Sequence, residues 1–279
     1  MSLKIASWNI EGRLSEKGNV KRGTDKHIIE SIKKLDADIL VLLEAHSENS
    51  IDKVESKQQL VDMGYNIHSV PYDDDGLKLR ADSYASQLSL MILSKFPIDH
   101  IEIVSLGGIR NSLIATIQFE TNKIFRIIGV HLDDRSETTR VNQIKDLTKI
   151  VNRSDIPTIV MGDFNAMHGS DFWPARMLRS YIAKLLSNFI LPGISSRAIE
   201  MARGDCLKFL QSNTNLSDAD PKHRPTSTPK MRGFEWLPSI RLIQIDHIFI
   251  SKNIAINNFQ IAQDGGSDHR AVSAEISIK

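Results

Sequence analysis

Residues able to move protons or hold a cation recur along this chain: Asn9, Glu44, His131, Asp163 with Asn165, Asp246 with His247, and Asp268 with His269. Each follows, or stands at the tail of, a strongly apolar run. In a layered α/β protein such runs become buried strands. Side chains at strand ends on one edge can then converge on a cleft, where rigid strands hold them against a ligand. The donor types narrow the chemistry. Carboxylate and amide oxygens with few imidazoles suit a hard cation such as Mg²⁺ or Mn²⁺ better than structural zinc. The single cysteine, Cys206, excludes an intramolecular disulfide and a cysteine-rich metal cage, and fits a reducing compartment.

The elements that must position these residues follow from periodicity. Leu3 to Ile10 alternates as a strand ending near Asn9. Thr24 then caps a helix with the stripe Ile28, Ile29, Ile32 and Leu35, and the solid apolar run Ile39 to Leu43 reads as a buried strand with Glu44 at its end. A helix fits Ile51 to Met63. Strands fit Ile67 to Val70, Leu88 to Leu93, Ile101 to Val104, Leu113 to Phe119 and Ile124 to Leu132, so successive strands without helices make part of the sheet antiparallel. The spacing of Val141, Ile144, Leu147, Ile150 and Val151 predicts a helix over Glu137 to Asn152, before a buried strand from Thr158 to Met161. Phe172 to Leu191 and Ile199 to Leu210 look helical, and Gln211 to Pro238 is polar and rich in proline, serine and threonine. The chain closes with strands at Leu242 to Ile250, Ile254 to Ala262 and Ala271 to Ile278.

Composition sets the outer bounds. The 279 residues are 41% hydrophobic and 25% charged, values of a folded globular chain rather than a disordered or fibrous one. Lysine and arginine (35) nearly cancel aspartate and glutamate (34), so attraction to a polyanion must come from a local patch. No stretch approaches the ~18 apolar residues of a membrane span, and no signal-peptide pattern opens the chain, so a cytoplasmic monomer is expected.

Six segments together carry a family resemblance: Trp8-Asn9-Ile10, Leu43-Glu44, Val130-His131-Leu132, Gly162-Asp163-Phe164-Asn165, Ile245-Asp246-His247-Ile248-Phe249 and Ser267-Asp268-His269. Their order and spacing resemble the endonuclease/exonuclease/phosphatase superfamily of DNase I-like metal-dependent phosphoesterases. The resemblance implies a four-layer α/β sandwich with two central mixed β-sheets flanked by helices. Because the matches span nearly the whole chain, one domain over residues 1–279 is expected, with an inserted helical and basic region at about 168–240.

The resemblance also implies roles. Glu44 becomes the principal Mg²⁺ ligand, with Asn9 and Asp268 close to the metal or its waters. Asp163 orients or deprotonates the attacking water, and Asn165 hydrogen-bonds that water or a phosphoryl oxygen. His269 contacts the scissile phosphate, Asp246 holds its ring, and His131 stands near the phosphate or leaving group. Leu43 replaces the glutamine that the family usually places before its glutamate. Arg140 and Gln143 resemble a helix that supports the active-site histidine, so Arg140 is expected to give support first and phosphate contact second.

A basic loop with interleaved aromatics, including Lys222, Arg224, Lys230, Arg232, Phe234 and Trp236, precedes the Asp246 strand. It makes Arg224, Lys230, Arg232 and Trp236 candidate substrate contacts, since cations hold phosphates while aromatic rings stack on bases. His247 is expected to be structural, and His27, His46, His68, His100 and His168 to be solvated or locally hydrogen-bonded. The expected activity is Mg²⁺- or Mn²⁺-dependent hydrolysis of a phosphodiester in nucleic acid or a nucleotide-linked substrate. The alternatives are a phospholipid or inositol-phosphate esterase and a non-catalytic binding module.

Overall fold

A computed structural model describes residues 2–11, 25–46, 54–71, 88–107, 110–121, 123–168, 200–227, 243–263 and 265–279. Twelve strands form two six-stranded mixed sheets. In the first sheet the order is β11 (Ile254–Ile261), β12 (Val272–Ile278), β1 (Leu3–Asn9), β2 (Ile39–His46), β4 (Leu88–Ser94) and β3 (Asn66–Pro71). In the second it is β5 (Ile98–Ser105), β6 (Asn111–Glu120), β7 (Lys123–His131), β8 (Thr158–Asp163), β10 (Asp246–Ser251) and β9 (Leu216–Asp218). Each sheet has one parallel pair at its centre, β1 with β2 and β7 with β8.

Alternation decides the layers. Leu3 and Ile5 of β1 and Ile39, Val41 and Leu43 of β2 share one core with Leu113 and Ile117 of β6, Ile127 of β7, Ile159 and Met161 of β8, and Ile248 and Ile250 of β10. This inter-sheet core removes apolar side chains from water at ~1.5–3 kcal/mol each for the larger ones. The opposite faces need cover and receive helices. Ala6, Trp8, Leu40 and Leu42 pack on Ile28 and Ile32 of α1 (Asp25–Leu35) and Leu60 of α2 (Val54–Asp62). Ile128, Val130, Val160 and Phe249 pack on Ile144 and Leu147 of α3 (Glu137–Val151) and Leu207 and Leu210 of α4 (Asp205–Asn213). The layers are therefore helix, sheet, sheet, helix.

Three local differences from the sequence-based expectations have physical causes. Strand β2 does not stop at Leu43 but runs through Glu44 to His46, by way of a bulge. The helix expected over Ile199 to Leu210 is broken at Gly204, whose left-handed φ of 59° starts α4 afresh. Strand β9 falls inside the stretch expected to be loop, because three residues with polar Ser217 and Asp218 leave too short a pattern to see. The helix expected over Phe172 to Leu191 lies outside the described residues. Among the described residues no helix is long and apolar enough to cross a membrane.

Candidate active site

The inward-facing positions that build the inter-sheet core turn polar at one edge. Continuing the alternation by two residues from Met161 gives Asp163, from Ile248 backwards gives Asp246, and from Ile127 by four gives His131. Register brings them together: Asp163 lies opposite His131 in β7 and opposite Asp246 in β10. Asn9, at inward parity in β1, meets them from the other sheet.

Glu44 reaches the same space by a different device. Leu43 faces the inter-sheet core, so Glu44 should face the helices, as Leu42 and Ala45 do. A bulge between Leu42 and Ala45 inserts one residue, and Glu44 takes a left-handed φ of 53°. The extra residue places the Glu44 carboxylate inward and turns Ala45, which strict alternation would point inward, to the helix side. A non-glycine residue in this conformation is strained, and strain of this kind gathers at functional sites.

The hydrogen bonds then knit both sheets. Asn9 Nδ2 donates to Glu44 Oε1 at 3.2 Å and to Asp163 Oδ2 at 3.1 Å, while its Oδ1 accepts from the Glu11 amide at 3.0 Å. Asp163 Oδ1 accepts from the backbone N–H of Asn165 at 2.9 Å, and Asn165 Nδ2 donates to the Leu132 carbonyl at 3.0 Å. His269 Nδ1 sits 2.9 Å from Asp246 Oδ2, which also accepts from the Thr226 hydroxyl at 2.7 Å. His269 Nε2 is then 3.9 Å from Asp163 Oδ2 and 4.0 Å from Asp268 Oδ1. Ser267 Oγ donates to the Asn9 carbonyl at 2.7 Å and accepts from the His269 amide at 3.1 Å, and Trp8 Nε1 donates to the His269 carbonyl at 3.1 Å.

Electrostatics assigns different states to the two imidazoles. Burial pushes the His131 pKa well down, and the Arg110 and His269 cations push the same way, so His131 is neutral near pH 7. Arg110 Nη1 lies 3.3 Å from His131 Nδ1. A guanidinium only donates, so Nδ1 must accept and the proton sits on Nε2. That Nε2–H lies 3.9 Å from Glu44 Oε1 and 3.7 Å from Asp163 Oδ2, beyond direct hydrogen-bond distance. For His269 burial also acts downward, but the charge and hydrogen bond of Asp246 outweigh it, with help from Asp163 and Asp268, and lift the pKa to about 10. Burial raises Asp163 to about 7, against the His269 charge and with Asp246 adding to the rise.

The carboxylates of Glu44, Asp163 and Asp268 therefore meet an imidazolium and a neutral imidazole, and Glu44 remains half-buried and open to solvent. Crowded carboxylate oxygens of this kind fit a hard divalent cation. Asn9 presents its amide N–H₂ to Glu44 and Asp163 rather than its oxygen, and so aligns the carboxylates. Among the described residues, donor atoms of Asp163, Asp246 and His269 also lie within 4.8 Å of one another, with Asp246 and His269 engaged with each other.

Other expected residues stand elsewhere. Arg140 is fully buried, donating from Nε to Glu137 at 2.7 Å and from Nη1 to the Asp133 carbonyl at 2.8 Å, and Gln143 Oε1 accepts from the Asp133 amide at 2.9 Å. Both brace the loop after His131, which leaves Arg140 in support and out of reach of a substrate. Arg224 is engaged by Asp220 at 3.1 Å and by the Phe259 carbonyl at 3.2 Å. Lys230, Arg232 and Trp236 lie outside the described residues. Sequence reasoning missed Arg110 and Thr226, an arginine in a strand approach and a threonine in a polar loop, which no spacing marks. His168, expected to be solvated or locally hydrogen-bonded, is hydrogen-bonded, its Nε2 2.9 Å from Asp218 Oδ2, but to a residue distant along the chain.

Comparison with known proteins agrees with this architecture. The family model described as Endonuclease/Exonuclease/phosphatase family matches residues 6–269, and the chain belongs to that family. Members of this family are hydrolases of phosphoester bonds and are generally dependent on a divalent metal. An endonuclease/exonuclease/phosphatase family protein from Bacteroides thetaiotaomicron is 17% identical, covering 100% of this chain and 98% of that one with a TM-score of 0.66. The catalytic domain of human Nocturnin, with a bound sulfate, is 18% identical over 100% of this chain and 95% of that one, with a TM-score of 0.63. ANGEL2, a 2',3'-cyclic phosphatase in complex with adenosine-2',3'-vanadate, is 15% identical over 99% and 95%, with a TM-score of 0.64. At such identities the likeness is one of fold. No curated protein matches the sequence.

Proposed function

We propose that the chain is a Mg²⁺-dependent phosphodiesterase acting on nucleic acid or a nucleotide-linked phosphodiester, and that its two sheets form one catalytic domain. The observation that carries this is the junction at Asp163 Oδ2, 3.1 Å from Asn9 Nδ2, 3.7 Å from His131 Nε2 and 3.9 Å from His269 Nε2. A base, a neutral donor and a charged donor converge there.

Glu44 and Asp268 would hold the cation, which when bound would neutralise phosphoryl charge and lower the barrier to departure of the leaving oxygen. The chain's own groups do the rest. Asp163, raised toward neutrality, takes a proton from the attacking water. Asn165 orients that water through its amide. His269, held as imidazolium by Asp246, gives a charge-assisted hydrogen bond to a phosphoryl oxygen. His131 donates from Nε2 toward the phosphate or leaving oxygen.

The nucleotide class is favoured by the similar structure of ANGEL2, which holds an adenosine-2',3'-vanadate. The Bacteroides thetaiotaomicron mannosyl-6-phosphatase, at a TM-score of 0.63, makes a sugar phosphomonoester the natural counter-substrate. The test is a metal-supplemented panel of single- and double-stranded DNA, RNA, 2',3'-cyclic ends, protein-linked 5' ends, sugar phosphates, inositol phosphates and phospholipids. Highest kcat/KM on a nucleotide phosphodiester with Mg²⁺, lost in Glu44→Ala and His269→Ala, is expected. Preference for a sugar phosphate or lipid headgroup overturns the substrate class, and absence of all hydrolysis overturns the enzyme.

A further inference from the structure

A second imidazole cluster lies on the other face of the second sheet. His247 follows Asp246 in β10, so its side chain points away from the inter-sheet core, and it is fully buried. Its Nδ1 lies 2.9 Å from Asp218 Oδ2 and its Nε2 lies 3.0 Å from the Ala166 carbonyl. A carbonyl oxygen can only accept. The Asp218 carboxylate already accepts from the Asp220 amide at 2.9 Å through Oδ1, and its Oδ2 lies 2.9 Å from His168 Nε2. Both His247 nitrogens must then donate, and only an imidazolium does so. Burial alone would remove its proton, but hydrogen bonding and charge from Asp218 outweigh that, with Ala166 and Asp246 adding to the rise. Burial acts upward on Asp218, and the two histidines outweigh it and hold this carboxyl below its usual range.

The other end of this arrangement is the turn that carries the active-site groups. Ala166 follows Asn165, which has a left-handed φ of 49° and donates its amide to Asp163 Oδ1 at 2.9 Å. Phe164 meets the His247 ring edge-on at 5.5 Å between centroids. His247 thus grips the turn twice, once through the Ala166 carbonyl and once through Phe164. The cluster does not suit a metal as it stands. Donor atoms of His168, Asp218 and His223 lie within 4.8 Å, but the His168 and His223 rings are stacked 4.0 Å apart and only 8° from parallel. Lone pairs confined to parallel planes cannot meet at one ion.

We infer that His247 is a positioning residue: held as an imidazolium, it ties Asp218 to the Ala166 carbonyl and so fixes the turn that presents Asp163 and Asn165 to the substrate. Its catalytic consequence rests on the roles proposed above for those two residues. Titratable groups packed around it are Asp218 from β9, His168 from the segment after β8, and Asp246 beside it on β10.

The experiment has a spectroscopic arm and a kinetic arm. At pH 8, above the ordinary histidine range of ~6.5, the His247 ring nitrogens should still give imidazolium ¹⁵N shifts in the parent protein, and neutral shifts in Asp218→Asn. His247→Phe keeps the ring packing without N–H donors, and should lower kcat about ten- to a hundredfold, with KM and the Mg²⁺ requirement changed by less than about twofold. Neutral-tautomer shifts in the parent at pH 8 overturn the inference, as does parental kcat in His247→Phe or in a folded Asp218→Asn. If the parent hydrolyses no phosphodiester, backbone amide exchange at Asn165 and Ala166 decides the tie. Faster exchange in Asp218→Asn supports it, and unchanged exchange overturns it whatever the substrate proves to be.

Discussion

Asp246 grips Nδ1 of His269 through both carboxylate oxygens, at 2.9 and 3.1 Å, while Thr226 donates to one of them at 2.7 Å. The grip fixes which ring nitrogen faces the substrate and keeps His269 protonated up to about pH 10. Asp246→Asn should lower kcat by about a hundredfold or more and move the alkaline limb of the pH–rate profile down toward the ordinary histidine range of ~6.5. Thr226→Val, which removes only the support, should cost about tenfold. An unmoved alkaline limb in Asp246→Asn rejects the assignment.

Asp163 must lose its proton to act as base, and burial sets that loss near pH 7 rather than near 4. The acid limb of kcat/KM should therefore lie near neutrality at low Mg²⁺ and shift to lower pH as Mg²⁺ rises, because a nearby cation favours the carboxylate. Rate profiles at two Mg²⁺ concentrations measure this, and Asp163→Asn should leave only background hydrolysis.

Glu44→Gln keeps the shape of the bulge and removes one negative charge from the proposed cation site. The Mg²⁺ concentration for half-activation should rise by about tenfold or more, equivalent to ~1.4 kcal/mol. Mg²⁺ at about a hundred times its Kd should stabilise the parent by ~2.7 kcal/mol, and that gain in Tm should shrink in the variant. Equal Mg²⁺-dependent shifts in both proteins would place the cation elsewhere.

Gly162 has no room for a side chain: a Cβ there would stand 1.8 Å from the Val130 carbonyl oxygen of the parallel neighbour β7. Backbone, not a flexible side chain, must yield. Gly162→Ala should cost ~2 kcal/mol or more, lowering Tm by about 4–8 °C, and should displace Asp163 enough to reduce kcat even below that melting point.

The two active-site histidines should pull stability in opposite directions with pH. His131 has a depressed pKa in the fold, so its contribution is complete above the unfolded value of ~6.5 and is lost as pH falls. His269 has a raised pKa, so its contribution is complete below ~6.5 and is lost as pH rises through about 10. His131→Gln should flatten the acid side of a Tm-against-pH curve and His269→Gln the alkaline side. The reverse pattern would contradict a neutral His131 beside a charged His269.

Much of this was legible in the sequence, for reasons visible at particular residues. The four layers were legible only through the resemblance to the endonuclease/exonuclease/phosphatase superfamily, and the two cores on either face of each sheet realise them. Asp163, Asp246 and His131 stand at apolar runs, so their strands were legible, but their face was not, because these strands are apolar on both sides and only the structure sorts them into two cores. Glu44 shows the boundary of that method: its side chain faces inward only because of a bulge and a left-handed backbone, and no periodicity reports an inserted residue. Thr226, Arg110, Asp218 and His168 were not legible because their importance lies in partners distant along the chain, as Thr226 with Asp246 and His168 with Asp218. Arg140, expected to give support first and phosphate contact second, is held by Glu137 at 2.7 Å.

Strand β1 sits between β2 and β12, and the turn bearing Ser267, Asp268 and His269 comes just before β12. A growing chain therefore exposes the carboxylates of Glu44 and Asp163 well before it can supply the imidazole of His269. Under the proposed activity, capacity to cleave arrives only when the last strand takes its place beside the first and Ser267 bonds to the Asn9 carbonyl. Pairing of such distant segments is slow to form, so the site is completed last, by the step that closes the first sheet on its oldest strand.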